Sequence, residues 1–177
     1  LLVATSSRGT SHRIFSRRAS MLKTEALYYS DRYMKECQAR LLSVDIVGGK
    51  IYMVFDRTLF FPGGGGQAQD GGYVIDDSGI KFDICGINEK EGIIYHEVRM
   101  AKDGLESLIT SRQGILDSMD QAEKVSMIED YIGAKLKADP IFRMVLDWEH
   151  REDYMHQHSG QHVLSGVFYK LFSRNTL

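Results

Sequence analysis

Hydrophobic and polar positions alternate through the first half of the chain. Leu42, Val44 and Ile46 are separated by polar neighbours. That period of two predicts a strand with one buried face. Gly48-Gly49 follows. Positive φ costs glycine nothing, so a two-residue hairpin turn is predicted there. The return strand runs over about residues 50–56, with Ile51, Met53 and Phe55 on one face. Two further strands are predicted at 73–76 and 80–87, joined by the turn Asp77-Ser78-Gly79. A last one at 93–98 follows the polar turn Glu89-Lys90-Glu91-Gly92. Short strands at this spacing predict a small antiparallel barrel or curled sheet.

The period changes after residue 100. Leu105, Leu108, Ile109, Leu116 and Met119 recur at helical spacing, and so do Val125, Ile128, Ile132 and Leu136. Asp120 is placed to cap the second helix, and Asp139-Pro140 to end it. A helical hairpin is therefore predicted. Residues 141–147 read as a strand that leads, through Asp147, into a long polar helix. On that helix Leu164, Phe168 and Leu171 form an apolar stripe, predicted to be its core face.

Composition adds bounds. The chain has 177 residues, enough for one ordinary domain or two small ones. Its 43% hydrophobic and 26% charged residues are normal for a globular protein. No apolar run approaches the length of a membrane span. Cys37 and Cys85 are the only cysteines, which excludes a disulfide framework and makes a reducing compartment the simpler expectation. The net charge of -2 gives no overall attraction to nucleic acid, so RNA contact needs a local basic patch. Residues 1–20 carry Arg8, Arg13, Arg17 and Arg18 with no acidic residue. They are expected to be a poorly ordered leader: an organellar presequence, an expression leader or codons upstream of Met21.

Two stretches carry candidate chemistry. The first is Arg57-Thr58-Leu59-Phe60-Phe61-Pro62-Gly63-Gly64-Gly65-Gly66-Gln67-Ala68-Gln69-Asp70-Gly71-Gly72. Four consecutive glycines are costly to order. They suit a loop whose backbone passes close to something, or whose amides converge on an anion. No Lys-Ser/Thr follows, so it is not a P-loop. The second stretch is the polar helix, where His158 and His162 lie four apart and share a face. Two imidazoles so placed suit one zinc ion. The metalloprotease motif has Glu after its first His; Ser159 stands there instead. Four of the six histidines (His150, His156, His158 and His162) fall in this segment, with Gln157 and Gln161 beside the pair.

Both stretches resemble one family. Asp147-Trp148, Arg151, Met155 and His158-Ser159-Gly160-Gln161-His162 are similar to the zinc-site helix of alanyl-tRNA editing proteins, the stand-alone relatives of the alanyl-tRNA synthetase editing domain; threonyl-tRNA synthetase carries a related domain. The glycine stretch is similar to that family's Thr-x-Phe-Tyr-Pro-x-x-Gly-Gly-Gln-x-x-Asp-x-Gly motif. The order and separation of the two also match. The resemblance covers roughly residues 27–98 and 145–172, and fits 101–140 less well.

The resemblance implies hydrolysis of the ester in mischarged tRNA(Ala), carrying serine or glycine, with Zn2+ held by His158 and His162. It implies that Gly64, Gly65 and Gly66 admit the aminoacylated 3′ end, with Asp70 and Arg151 among the substrate contacts. Gln67 and Thr58 become candidates for contacting the amino acid, Thr58 through a hydroxyl suited to sensing serine, and Gln161 for orienting water or substrate. The family's second zinc half, a Cys-x-x-x-His, lies downstream in relatives, and neither Cys37 nor Cys85 matches it. The zinc site is thus expected to be incomplete up to Leu177. The expected organisation is α+β: a leader (1–20), a small antiparallel barrel-like lobe with the glycine loop (21–100), a helical insertion (101–139) and the start of an editing lobe (140–177). The expected location is cytoplasmic, or organellar if the leader is a presequence. Two other readings stay open: a zinc-stabilised tRNA- or synthetase-binding module without hydrolysis, and an unrelated metal hydrolase using the clustered histidines.

Overall fold

The computed structural model describes residues 12–16, 23–109 and 119–173. The first hairpin turns where predicted. β3 (Glu36–Val47) turns through Gly48 and Gly49, both at positive φ, into β4 (Lys50–Phe55). β6 (Gly72–Ile75), β7 (Lys81–Lys90) and β8 (Ile93–Met100) follow. All pairings among these strands are antiparallel, in the order β3-β4-β8-β7-β6.

The expected barrel-like lobe is present, but it does not end at residue 100. β9 (Ile141–Leu146) pairs with β6 on one side and with the first half of β3 on the other. It closes a six-stranded barrel and leaves neither partner edge bare there. Phe142, Met144 and Leu146 are buried while Ile141 and Arg143 are exposed, so the strand alternates as a barrel stave should. The boundary expected at residue 140 therefore falls inside the barrel sheet.

β1 (His12–Ser16) corrects a second expectation. It lies within the presumed leader, yet pairs antiparallel with residues 43–47 of β3. The physical reason is the length of β3. β9 covers only its residues 36–40, and the remaining edge is free to take another strand. The rest of the first twenty residues lies outside the described residues.

The barrel core is apolar and tightly filled. Phe55, Phe82 and Phe142 are fully buried and meet edge-on or tilted at 5.6 and 6.2 Å. The predicted helices follow β8: α1 (Lys102–Ile109) and α2 (Gln121–Lys137). Asp120 caps α2 in a reciprocal capping box with Glu123. Ile132 and Leu136 of α2 are buried, and Lys135 and Tyr131 reach Asp76 and Asp77 at the β6–β7 turn. α2 thereby braces the barrel. The predicted helical positions at Leu116 and on to residue 118 lie outside the described residues.

α3 (Trp148–Phe172) leaves the barrel from Asp147, whose carboxylate accepts the His150 N–H as an N-cap. Its first turns are held against the barrel, with Arg151 buried and Trp148 packed on the core. From Ser159 to Phe172 it is exposed, apart from half-buried Ser165. The stripe of Leu164, Phe168 and Leu171 is 61%, 45% and 69% exposed, so it is not a core face among the described residues. Helical period alone identified the stripe; nothing in the barrel reaches that far along the helix.

Candidate functional site

The glycine stretch forms a shaped loop. It starts from the short strand β5 (Arg57–Thr58), which pairs in parallel with β2 (Glu25–Ala26). Gly63, Gly64, Gly65 and Gly66 all have positive φ, which side-chain-bearing residues adopt only under strain. Gly64 and Gln67 exchange both backbone hydrogen bonds, at 2.9 and 3.0 Å, and close a tight turn over Gly65 and Gly66.

The base of this loop is clamped. Asp70 is buried, and its carboxylate accepts from the Phe61 N–H and, through both oxygens, from the Arg151 guanidinium. Arg151 also donates to the carbonyls of Leu59, at 2.6 Å, and Arg32, at 3.0 Å. One guanidinium thus joins the glycine loop, the segment around Arg32 and α3. His150 adds a contact from its Nε2 to the Gln69 carbonyl at 3.2 Å. The tip of the loop is consequently set beside α3: a Cβ on Gly66 would lie 3.7 Å from His158 Nδ1 and 3.9 Å from Gln161 Oε1.

Between loop and helix lies a cleft of about 350 Å³, lined by Tyr28, Tyr29, Arg32, Phe61, Gln67, Arg151, Met155, His158 and Ser159. The structure thus unites Gly66, Gln67, His158 and Gln161, from stretches about ninety residues apart. Gly64 and Gly65 face open space. One expected site residue stands elsewhere, and two more are nearly sealed from solvent. Thr58 is 0% exposed, its Oγ1 2.9 Å from His96 Nε2 and accepting from the Phe60 N–H. Its hydroxyl is committed to the core and does not line the cleft. Asp70 and Arg151 spend their charges on each other and hold the loop in place, Arg151 at the cleft wall.

His158 and His162 converge. Their Nε2 atoms are 3.0 Å apart and their rings are nearly perpendicular. With one ring donating, this distance is an N–H···N hydrogen bond. It is also close to the ~3.3 Å that separates two nitrogens bound to one tetrahedral zinc at ~2.05 Å each. Donor chemistry and spacing thus fit zinc; the ligand count is half a shell. Among the described residues no group of three or more His, Cys, Asp or Glu side chains is gathered around one point. His150 and His156 do not join the pair, which leaves the clustered-histidine hydrolase without its ligands. Both cysteines are free, and burial pushes the Cys37 thiol up to about 11.

Sequence reasoning missed the opposite wall of the cleft. Tyr28 and Tyr29 come from a 3-10 turn, Leu27–Tyr29, and Arg32 from the segment after it. Their only signal was aromatic and basic residues in a stretch without strand or helix period. Among the described residues no helix is long and apolar enough to cross a membrane.

Comparisons with known proteins agree with the two motifs. Residues 9–113, more than half of the chain, match the family described as tRNA synthetases class II (A). The alanyl-tRNA editing protein AlaX-L of Pyrococcus horikoshii is 32% identical over 152 residues, which is 86% of this chain and 30% of that protein. The AlaX-M protein of Methanosarcina barkeri is 30% identical over 83% of this chain and 48% of its own length. Alanine–tRNA ligase of Thermococcus kodakarensis is 28% identical over 86% of this chain and 12% of the ligase. The chain spans less than half the length of these relatives. With that match over most of its residues, and with both motifs meeting at one cleft, the chain belongs to the alanyl-tRNA editing family.

Proposed function

We propose that the cleft is part of an esterase centre that removes a wrongly attached amino acid from tRNA(Ala), with serine or glycine as the amino acid removed. The observation that carries the reading is the approach of the glycine tip and Gln67 to His158 and Gln161. The names of the editing relatives supply the substrate class. In the reaction, water adds to the ester carbonyl carbon, the bond to the ribose oxygen breaks, and that oxygen leaves as a hydroxyl. His158 and His162 would hold zinc, which when bound supplies a Lewis acid for the carbonyl or the water.

The remaining roles fall to this chain's own groups. Gly64 and Gly65, with open space above them, admit the 3′ end close to backbone. Gln67 in the cleft and Gln161 beside Gly66 offer amide donors and acceptors to the amino acid and to water. With the Thr58 hydroxyl committed to the core, Gln67 and Ser159 are among the polar cleft groups that would meet a serine side chain.

Deacylation of Ser-tRNA(Ala) and Ala-tRNA(Ala) by the zinc-complete protein tests this. Hydrolysis of the seryl ester with the alanyl ester spared is expected. Equal rates, or no hydrolysis of either, overturn it. The two-ligand count favours one other reading, a zinc-stabilised module that binds tRNA without cleaving it. Binding of both charged tRNAs with no deacylation would select that reading.

A further inference from the structure

One wall of the cleft carries more aromatic surface than the fold uses. Away from α3 and Ile141, the exposed large apolar side chains among the described residues are Tyr29, 80% exposed, and Tyr33, 63% exposed. Single exposed aromatics need no explanation. These two stand four residues apart, and Tyr29 lines the cleft. Each is backed by another ring: Tyr29 by Tyr28 at 4.7 Å, and Tyr33 by Trp148 at 6.0 Å. Cations accompany them. The Arg32 guanidinium lies 6.0 Å from the Tyr33 ring centre and Lys35 Nζ 4.6 Å from that of Trp148. Among the described residues neither cation forms an ion pair.

The segment is also held rigid. The Arg32 carbonyl accepts from Arg151, the Lys35 carbonyl from the Leu146 N–H at 2.9 Å, and the Tyr33 N–H donates to Asp31 Oδ1 at 2.9 Å. The backbone that carries the rings is therefore fixed before anything binds, which lowers the entropic cost of binding on them.

Exposed rings interleaved with cations beside a cleft match a single-stranded nucleic acid: bases stack on π faces and phosphates meet the charges. We propose that Tyr29 and Tyr33 form a stacking platform for the unpaired nucleotides at a tRNA 3′ end, with Arg32 and Lys35 taking their phosphates. The identity of the strand rests on the editing function proposed above; the platform itself rests on the rings and charges. Its direction is set by Tyr29, which lies at the cleft, so the terminal nucleoside stacks there and presents its ester to Gln67 and His158.

Trp148 is the chain's only tryptophan and touches Tyr33, so its fluorescence reports occupancy. A single-stranded RNA tetranucleotide, uncharged and ending in adenosine, is titrated against the 177-residue chain, with a blunt RNA duplex as the comparison. The single strand is expected to change the emission saturably and the duplex to bind more weakly. Tyr29→Ala is expected to weaken binding about tenfold, the size of one lost base stack. Tyr29→Phe and Tyr33→Phe, which keep the π face, should bind within about twofold of the parent. Because Tyr33→Ala also alters the surroundings of Trp148, its affinity is read by anisotropy of a labelled RNA, and a similar loss is expected.

Unchanged affinity in both alanine variants, or equal preference for the blunt duplex, overturns the proposal. Both sites are exposed, so the alanine variants are expected to melt like the parent. Selective RNA binding without deacylation by the zinc-complete protein would overturn the esterase reading and leave the platform standing. Deacylation whose KM is indifferent to both alanine variants would do the reverse.

Discussion

His96 is a titratable group with no access to solvent. Its Nδ1 lies 3.1 Å from the Met53 carbonyl, which can only accept, so that nitrogen carries the proton and Nε2 accepts from the Thr58 hydroxyl. Burial pushes the imidazole down to about 4 from 6.5, against a smaller upward push from the Met53 hydrogen bond. Between these values the unfolded chain binds a proton that the folded chain refuses. The neutral ring's contribution is thus complete above about pH 6.5 and is lost as pH falls towards 4. By pH 5 the loss amounts to about 2 kcal/mol. Urea denaturation at about pH 7.5 and pH 5 should show this difference in the parent and a smaller one in His96→Gln; the same pH dependence in both would refute it. The Asp70–Arg151 pair gives the second residue-scale expectation. Removing one partner strands a buried charge, so Asp70→Ala should cost about 3–5 kcal/mol. A loss below about 1 kcal/mol in chemical denaturation would mean that the loop is held by something else.

At the scale of elements, the glycines of one stretch have different jobs. A Cβ on Gly72 would sit 2.2 Å from the Val145 carbonyl oxygen and 2.9 Å from Phe60, inside the barrel pairing. A Cβ on Gly66 meets only side-chain atoms at 3.7 Å or beyond, and one on Gly65 meets nothing. Gly72→Ala should therefore unfold the barrel at markedly lower temperature. Gly65→Val and Gly66→Val, strained by their positive φ but clear of neighbouring backbone, should cost deacylation while lowering the melting temperature less than Gly72→Ala does. If their melting falls as far as that of Gly72→Ala, the glycine tip is structural. Much of this architecture was legible because alternation and turn chemistry are local. The Gly48-Gly49 hairpin, the Asp77-Ser78-Gly79 turn and the Asp120 cap are written in adjacent residues. Leu42 shows where local reading slips. A bulge between Leu41 and Ser43 shifts the register of β3, so Leu41 is buried below it, Val44 and Ile46 above it, and Leu42 is half-exposed. The placing of β9 failed for a different reason. Its alternation was visible, but its two partners are set by closure of the barrel, which no local pattern encodes.

At the scale of the whole molecule, the site is a product of long-range contact. His158 and His162 were readable as a pair because one helix turn sets their spacing. The clamp that brings the glycine tip to them joins Asp70 and Arg151 across 81 residues, and neither their pairing nor their burial shows in the local sequence. Two converging imidazoles supply half of a four-coordinate shell, and even a catalytic zinc keeps three protein ligands as a rule. The 177-residue chain is therefore expected to hold zinc weakly or not at all. With the family's Cys-x-x-x-His segment joined in cis, zinc should rise to about one per chain. His158→Ala or His162→Ala in that longer protein should remove metal and deacylase activity together, with the barrel's urea midpoint unchanged because both residues lie outside its core. Metal analysis after dialysis against a weak chelator checks each step. Tightly held, stoichiometric zinc in the 177-residue chain would mean that groups outside the described residues, or a second copy, complete the site, and the ligand assignment would fall.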